Sequence, residues 1–422
     1  MQEANLNKDK EKYILVAVAS DAVSEEKAWE SLDELEALLE TADGEATSHV
    51  VQKLEHPNRA MYVGTGKAVE LKEMIAQQDA VGIICDDELT PSQFRNLSDA
   101  IDAKVLDRTM LILDIFARHA KTKEGKIQVG IAQQKYRLSR LRGMGEATSR
   151  LGGGIGTRGP GETKLETDRR VIQRRIKLLS DEIEDLKTIR ETTRKKRSNS
   201  AIPTIAIVGY TNAGKSTLLN LLTGADVLSE NKLFATLDPT TRTAVLPDNQ
   251  EVLLTDTVGF INKLPHNIID AFRSTLEEAK YADVILHVVD ASDEQSDMHV
   301  EVVSRTLEEL DVVGKPIILV RNKIDIADSE RVYAVKQVEG VDRVVEVSAK
   351  TGKGIDTLFS AVAEVLRENR VYVDTFLSYK DSAELAKIRK YGQLISEEYE
   401  ADGIHIKAYI PRSLYSTLLS LL

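Results

Sequence analysis

The sequence predicts a multidomain α/β protein, and three observations carry that reading. The first is Gly209-Tyr210-Thr211-Asn212-Ala213-Gly214-Lys215-Ser216. It fits G-x-x-x-x-G-K-[ST] at every fixed position, with an apolar run at 205–208 leading in and a helical pattern at 217–223, starting at Thr217, leading out. The second is the alternation of short apolar runs with helical patterns on both sides of that stretch, the mark of mainly parallel sheets flanked by helices. The third is a pair of long apolar stripes at helical spacing between residues 124 and 198, separated by a glycine-rich stretch.

Length and composition set the frame. At ~100–200 residues per domain, the 422 residues predict two to four domains. Hydrophobic content of 42% and charged content of 29% are those of an ordinary folded protein. Cys85 is the only cysteine, so no intrachain disulfide can form, which suits a reducing cytosol. In the run Val81-Gly82-Ile83-Ile84-Cys85 it reads as a small buried hydrophobe. No apolar run approaches ~18 residues, so no membrane span is expected. The charged N-terminus before a short apolar run is wrong for a secretory signal. A cytoplasmic protein is the expectation. The net charge of −12 argues against nucleic-acid binding by the surface as a whole.

Residues 13–19 read as a buried strand. Residues 25–41 carry Ala28, Trp29, Leu32, Leu35, Leu38 and Leu39 at helical spacing. A second strand is expected near 48–54, then strand, glycine turn and helix over 61–75. The Gly64-Thr65-Gly66-Lys67 turn imitates a phosphate loop. It has Met61 where the first glycine is required and Ala68 after the lysine, so it reads as a plain turn. A strand at 80–85, a helix at 91–100 and a helix at 111–120 complete a first domain, 1–123. Between them, Asp107 reads as a helix cap and Arg108 as a surface charge.

Residues 124–200 change character. Ile127, Ile131, Leu138 and Leu141 form one stripe, and Ile172, Ile176, Leu179, Ile183, Leu186 and Ile189 another. Two such stripes predict a long antiparallel helical hairpin. The stretch 143–161 holds eight of the 24 glycines, with Arg150, Arg158 and Pro160, and reads as a loop that cannot build a core. From Lys135 to Arg175 there are 11 basic and four acidic residues, a net +7 that leaves −19 for the rest of the chain. A solvated helix pair is the bland reading of such a run. Concentration of the charge at one tip favours RNA, whose phosphates pair with arginine and whose unpaired bases stack on it. The later run Arg194-Lys195-Lys196-Arg197 complements a helix dipole equally well. Ser198-Asn199-Ser200 reads as a linker.

A third domain, 201–369, carries the chemistry. Amides of the loop Gly209–Ser216 are expected to face phosphate oxygens at the start of a helix. Lys215 should reach the β- and γ-phosphates and Ser216 should hold Mg2+. The polar stretch 231–242 contains Phe234-Ala235-Thr236-Leu237-Asp238-Pro239-Thr240-Thr241-Arg242. It is a candidate mobile segment that lends a threonine to Mg2+, with Thr236 favoured and Thr241 as rival. A strand at 252–255 ends at Asp256-Thr257-Val258-Gly259, where Asp256 can hold Mg2+ through water and the Gly259 N–H can meet the γ-phosphate. A strand at 284–289 ends at Asp290. A strand at 317–320 ends at Asn322-Lys323-Ile324-Asp325. The Asp325 carboxylate can accept two N–H bonds from guanine, which adenine cannot offer. A strand at 344–347 ends at Ser348-Ala349-Lys350, whose backbone can bond the guanine carbonyl. All these groups lie at strand C-termini, where open α/β sheets bind ligands. In this order and spacing they predict a guanine-nucleotide site with GTP as substrate, Mg2+ as cofactor, and Lys215 and Gly259 in direct catalytic contact.

Phe260 stands where many GTPases place a glutamine that orients the attacking water, so slow intrinsic hydrolysis is expected. Two devices could complete the site. One is a partner-induced rearrangement of 256–270; the other is a K+ ion shared by Asn212 and the phosphates. A local turn hydrogen bond is the plainer use of Asn212. The last segment, 370–422, reads as strand, helix, hairpin and helix. Ala401-Asp402-Gly403 marks the turn, and Ile404, Ile406, Ala408 and Ile410 alternate inward.

The phosphate loop with Asn212, the 234–242 stretch, Asp256-Thr257-Val258-Gly259-Phe260-Ile261, and Gly156-Thr157-Arg158-Gly159-Pro160-Gly161-Glu162-Thr163-Lys164-Leu165-Glu166 together resemble the HflX family. These are translational GTPases of the class that also holds Era, Obg and MnmE. The likeness spans nearly the whole chain, including 107–109 and 111–117, and 152–166 is its most specific part. Phe260 is itself a trait of the family. The resemblance implies a P-loop GTPase domain, preceded by an α/β domain with a long antiparallel helical hairpin and followed by a small C-terminal α/β domain. It implies a monomer that binds the large (50S) ribosomal subunit, its glycine loop reaching ribosomal RNA, and that splits or rescues stalled ribosomes under stress. One alternative is an RNA-docking or ribosome-assembly factor in which GTP is a slow timer with little intrinsic hydrolysis. An RNA-modification or assembly factor like MnmE or Era is disfavoured, because no folate-binding or KH-type domain is readable.

Overall fold

The structure, a computed structural model, describes residues 10–151, 160–198, 202–224, 233–234, 237, 239–264, 278–312, 314–327, 340–368, 370–410 and 415. It divides into two compact units, Met1–Glu184 with Lys263–Phe272, and Asp185–Asn262 with Arg273–Leu422.

The first unit is built on a four-stranded parallel sheet of order β2-β1-β3-β4. Its strands are β1 (Lys12–Ala19), β2 (Glu45–Lys53), β3 (Gly82–Cys85) and β4 (Lys104–Asp107). The apolar run of β1 is buried on both faces, as a central parallel strand requires. Helix α1 (Glu25–Thr41) starts where the Ser24 hydroxyl accepts the Lys27 N–H, and it buries Leu32, Leu35, Leu38 and Leu39. Trp29, expected in that stripe, is 41% exposed: it lies at the edge of the face that α1 turns to the sheet. Helix α2 (Thr65–Gln78) begins just after Gly64, and 61–63 forms only an isolated bridge, Asn58 to Tyr62, in place of the expected strand. Helix α3 (Pro91–Ile101) opens with a Thr90–Gln93 capping box and a proline in its first turn.

Helix α4 (Arg108–His119) starts three residues earlier than its apolar pattern suggests, because Asp107 caps it by accepting the Met110 N–H at 2.9 Å. Arg108 is not a surface charge. It is 1% exposed and pairs with Asp86 at 2.7 Å and with Glu34. It lies at the end of β4 beside the end of β3, so its side chain enters the sheet's rim, where carboxylates compensate its burial. Asp86 also accepts the Ser31 hydroxyl at 2.7 Å and pairs with Lys263, which reaches Asp87 at 2.8 Å as well. Asp107, fully buried, further accepts the Tyr136 hydroxyl at 2.8 Å and pairs with Arg140. Cys85 is buried, as expected.

Helices α5 (Lys123–Leu151) and α6 (Pro160–Ser198) are long. Lys123 pairs with Glu182 at 2.7 Å, and Gly130 faces Leu179. Farther along, Arg137, Arg140 and Leu141 line a groove of about 380 Å³ with Asp168, Val171 and Ile172. Ile127 and Ile131 are buried, and Leu138, Leu141, Ile172, Ile176, Leu179, Ile183 and Leu186 are half-buried. The expected loop 143–161 is helical at 143–151 and 160–161. Each glycine costs a helix only ~1 kcal/mol, and Met144, Glu146 and Ala147 are adequate helix formers. Residues 152–159, and the side chains of Arg150 and Ile189, lie outside the described residues.

The second unit holds a six-stranded sheet of order β10-β9-β8-β5-β7-β6. Its elements are β5 (Thr204–Gly209), α7 (Lys215–Thr223), β6 (Thr240–Val245), β7 (Glu251–Asp256), β8 (Val284–Asp290), α8 (Ser296–Glu309), β9 (Ile317–Asn322), β10 (Arg343–Glu346) and α9 (Ile355–Glu368). All neighbours are parallel except the edge strand β6, which runs antiparallel to β7. A second sheet, β11 (Val371–Ser378), β13 (Gly403–Ile410) and β12 (Gln393–Tyr399), is antiparallel and carries α10 (Ser382–Tyr391). Ile404, Ile406, Ala408 and Ile410 pack inward against Val373, Leu377, Leu385 and Ile388. The expected last helix lies outside the described residues except at Tyr415. No described helix is long and apolar enough to cross a membrane.

Candidate nucleotide-binding site

The parallel strands β5, β7, β9 and β10 deliver their C-terminal ends to one edge of the six-stranded sheet, and the sequence motifs sit there. The 209–216 loop joins β5 to α7. Gly214 is at φ +90°, and a Cβ on it would lie 2.3 Å from the Asn322 side-chain nitrogen. Only glycine lets the loop come so close. Asn212 is exposed at φ 59°, a left-handed position that asparagine tolerates.

Lys215 is buried, and its Nζ donates to the Tyr210 carbonyl at 2.7 Å. Burial pushes its pKa down to about 8, with Asp256 acting in the opposite direction. The Ser216 hydroxyl donates to Asp256 Oδ2 at 2.7 Å, which brings two hard oxygen donors together at the foot of α7. That donor set fits Mg2+, which binds few protein oxygens and keeps water and phosphate as its other ligands. No cluster of three His, Cys, Asp or Glu exists among the described residues. Thr217, next in α7, is half-buried. The Thr211 hydroxyl is buried with no hydrogen-bond partner among the described residues.

Asp256 and Thr257 are fully buried and Val258 nearly so. The Thr257 hydroxyl is fixed to the Ile207 carbonyl at 2.8 Å. A Cβ on Gly259 would lie 2.8 Å from Thr211 Cγ2 and 3.0 Å from Lys215 Nζ, so this glycine lies directly against the loop and its lysine. Phe260 is 2% exposed. Its N–H donates to the Gly209 carbonyl at 3.1 Å, and its carbonyl accepts the Thr211 N–H at 2.8 Å.

Asn322 joins three loops. Its Nδ2 donates to the Ala213 carbonyl and its Oδ1 accepts the Ala349 N–H, both at 2.9 Å. Lys323, at φ 65°, pairs with Asp290 at 2.6 Å. The Ile324 N–H donates to Val347 at 3.3 Å. Asp325 is exposed and its Oδ1 accepts the Ser348 hydroxyl at 2.7 Å, a bond that holds its carboxyl below the usual range. Ser348 is fully buried, Ala349 nearly so, and Lys350 is exposed.

Thr241, the rival magnesium ligand, is on β6 with its hydroxyl 3.0 Å from that of Thr255. The stretch 231–242 therefore ends in a paired edge strand. Ala235, Thr236 and Asp238 lie outside the described residues, whereas Phe234 and Leu237 are buried at 2% each, which leaves only their backbone for a ligand. Asp290, which the sequence places at the end of its strand, lies in register with Asn322. Two residues escaped sequence reasoning. His287, a histidine in an apolar run, is buried on β8 beside Val208. Burial first, then Lys215, lowers its pKa to about 4. His299 had no local signal; its ring stacks on Tyr210, with centroids 3.7 Å apart and planes at 16°.

Family models described as "GTP-binding GTPase N-terminal", "GTP-binding GTPase Middle Region" and "50S ribosome-binding GTPase" match residues 29–117, 119–197 and 204–323. A GTPase HflX of Lacrimispora saccharolytica is 55% identical over 413 residues, spanning 98% of this chain and 96% of that protein. A GTPase HflX of Caldanaerobacter subterraneus is 48% identical over 405 residues, spanning 96% of this chain and 92% of that protein. Among solved structures, a GTP-binding protein of Sulfolobus solfataricus in complex with GDP is 28% identical, covers 84% of this chain and 99% of its own, and superposes with a TM-score of 0.43.

Proposed function

The chain belongs to the HflX family of GTPases, and from that premise we propose that it uses GTP hydrolysis to time its docking on the large ribosomal subunit and the splitting or rescue of stalled ribosomes. GTP binding and hydrolysis come with the family. The observation that carries the site assignment is Asn322, whose two hydrogen bonds hold the phosphate loop and the 348–350 loop in one frame.

In that frame Lys215 contacts the β- and γ-phosphates and the Gly259 N–H meets the γ-phosphate. Ser216 and Thr236 would hold Mg2+, with Asp256 acting through water. Asp325 reads guanine, and Ser348, Ala349 and Lys350 bond its carbonyl through backbone. Asn212 would share a K+ ion with the phosphates. When bound, Mg2+ supplies positive charge to the phosphoryl oxygens. The domains are 1–123, 124–200, 201–369 and 370–422. Helices α5 and α6 form an antiparallel hairpin, a reading supported by facing positions that ascend from 123 to 130 to 141 in α5 while they descend from 182 to 179 to 168 in α6. The ribosomal reading is supported by the match of residues 204–323 to a family of 50S ribosome-binding GTPases and by the +7 charge between Lys135 and Arg175. A cytoplasmic, partly ribosome-associated monomer follows from it.

The test is co-sedimentation of the full chain with large subunits at fixed salt, loaded with a non-hydrolysable GTP analogue or with GDP. The analogue form should pellet preferentially. Replacing Arg150 and Arg158 by alanine should weaken that association about tenfold, from loss of charge-assisted phosphate contacts, with nucleotide affinity unchanged. Equal pelleting in both nucleotide states overturns the proposal. A second reading, an RNA-docking protein whose hydrolysis serves only release, is favoured by Phe260, an apolar buried side chain that cannot orient water.

A further inference from the structure

We infer that Tyr210 and His299 form a clasp that positions the Gly259–Asn262 segment for GTP hydrolysis, replacing through backbone placement what a water-orienting side chain would do at position 260. The starting point is chemical. Attack of water on a γ-phosphoryl group depends on groups held at fixed places. Phe260 is apolar and 2% exposed, so its side chain contributes no polar group. What remains is the backbone of the segment, and that backbone is fastened to the phosphate loop at three points. The Phe260 N–H donates to the Gly209 carbonyl at 3.1 Å, and the Thr211 N–H donates to the Phe260 carbonyl at 2.8 Å. The Asn262 N–H donates to the Tyr210 hydroxyl oxygen at 2.6 Å.

The third fastening is made by a side chain, and that side chain is itself held. The Tyr210 ring is 5% exposed and stacks face to face on His299 at 3.7 Å. His299 comes from α8, the helix that follows β8. It is 8% exposed, with its Nδ1 3.7 Å from Asp293. The two backbone bonds fix Phe260, and the tyrosine fixes the chain two residues farther on. Gly259 therefore has no freedom to withdraw from Lys215, against which it is already packed. A donor fixed before the reaction costs no reorganisation when charge develops. Tyr210 and His299 act through Gly259, so they are positioning residues.

The inference rests on the assignment of Gly259 to the γ-phosphate, and the experiment separates the two. Steady-state phosphate release and GDP affinity are measured on the full chain in Mg2+ and K+ buffer. Tyr210→Phe keeps the stack and removes the acceptor. Its kcat should fall about fivefold, the equivalent of one net hydrogen bond, with KM and GDP affinity within about twofold of the parent. His299→Ala should lose a similar factor and His299→Phe, which restores a stacking ring, should recover it. Unchanged or raised kcat in Tyr210→Phe and His299→Ala overturns the clasp. So does a loss of GDP affinity in step with kcat, or an equal loss in His299→Ala and His299→Phe. Gly259→Ala is the control. If it retains full kcat, the γ-phosphate assignment fails; if it loses kcat while Tyr210→Phe does not, only the clasp fails.

Discussion

Asn322→Ala should weaken guanine-nucleotide binding about a hundredfold while the chain stays folded. The side chain is 1% exposed and makes two bonds of 2.9 Å, one to the Ala213 carbonyl in the phosphate loop and one from the Ala349 N–H. Alanine removes both partners. The groups left behind belong to residues only 1% and 8% exposed, where water cannot readily replace the lost contacts. A buried polar group left unpaired costs about 1–3 kcal/mol, so two of them amount to about 3 kcal/mol after partial relaxation. Much of that cost is recovered if the loops splay, and splayed loops cannot hold phosphates and base together. An affinity loss of about 3 kcal/mol is about a hundredfold. Titration calorimetry with GDP on the full chain reads the loss, and circular dichroism checks the fold. The amide also sets the size limit at Gly214, where a Cβ would lie 2.3 Å from its nitrogen. Gly214→Ala should therefore cost less in the Asn322→Ala background than alone, although the strain at φ +90° persists in both. A loss below about threefold in Asn322→Ala would show that the loops are held independently, and the reasoning would be wrong.

Two further outcomes test separate parts of the site. Asp325→Asn should weaken GTP and GDP by at least about a hundredfold without lowering the melting temperature, because an exposed carboxylate contributes recognition rather than packing; unchanged GTP affinity contradicts base selection by this residue. His287, its pKa depressed to about 4 by burial and by Lys215, is neutral in the folded chain and takes up a proton on unfolding below about pH 6.5. Its contribution to stability is complete above that pH and is lost as pH falls toward 4, about 2 kcal/mol of it between pH 7 and 5. Calorimetric melting at pH 7 and 5 should show a smaller acid shift in His287→Leu than in the parent, and equal shifts would refute the assignment.

The local features of this chain were readable because each needs only neighbours in sequence. The buried run of β1, the stripe of α1 and the Gly-Lys-Ser turn follow from spacing alone. Strand ends could be placed because Asp256, Asn322 and Ser348 close apolar runs. What sequence hid was pairing across the sheet. Arg108 looks solvated until β3 and β4 lie side by side and bring Asp86 to it. His299 has no meaning until β5 and β8 adjoin and set it against Tyr210. The glycines at 143 and 145 were misread for another reason: two weak helix formers are a small penalty in a helix of 29 residues.

Phe260 cannot orient water, and we propose that docking on the large ribosomal subunit completes the site that the loops around Gly259 only prepare. Phosphate release from the full chain, measured at saturating GTP with and without large ribosomal subunits, tests it most directly. A slow basal rate and a stimulation of at least about tenfold by the subunits are expected, equivalent to about 1.4 kcal/mol of added transition-state stabilisation. The same rate in both conditions would contradict it.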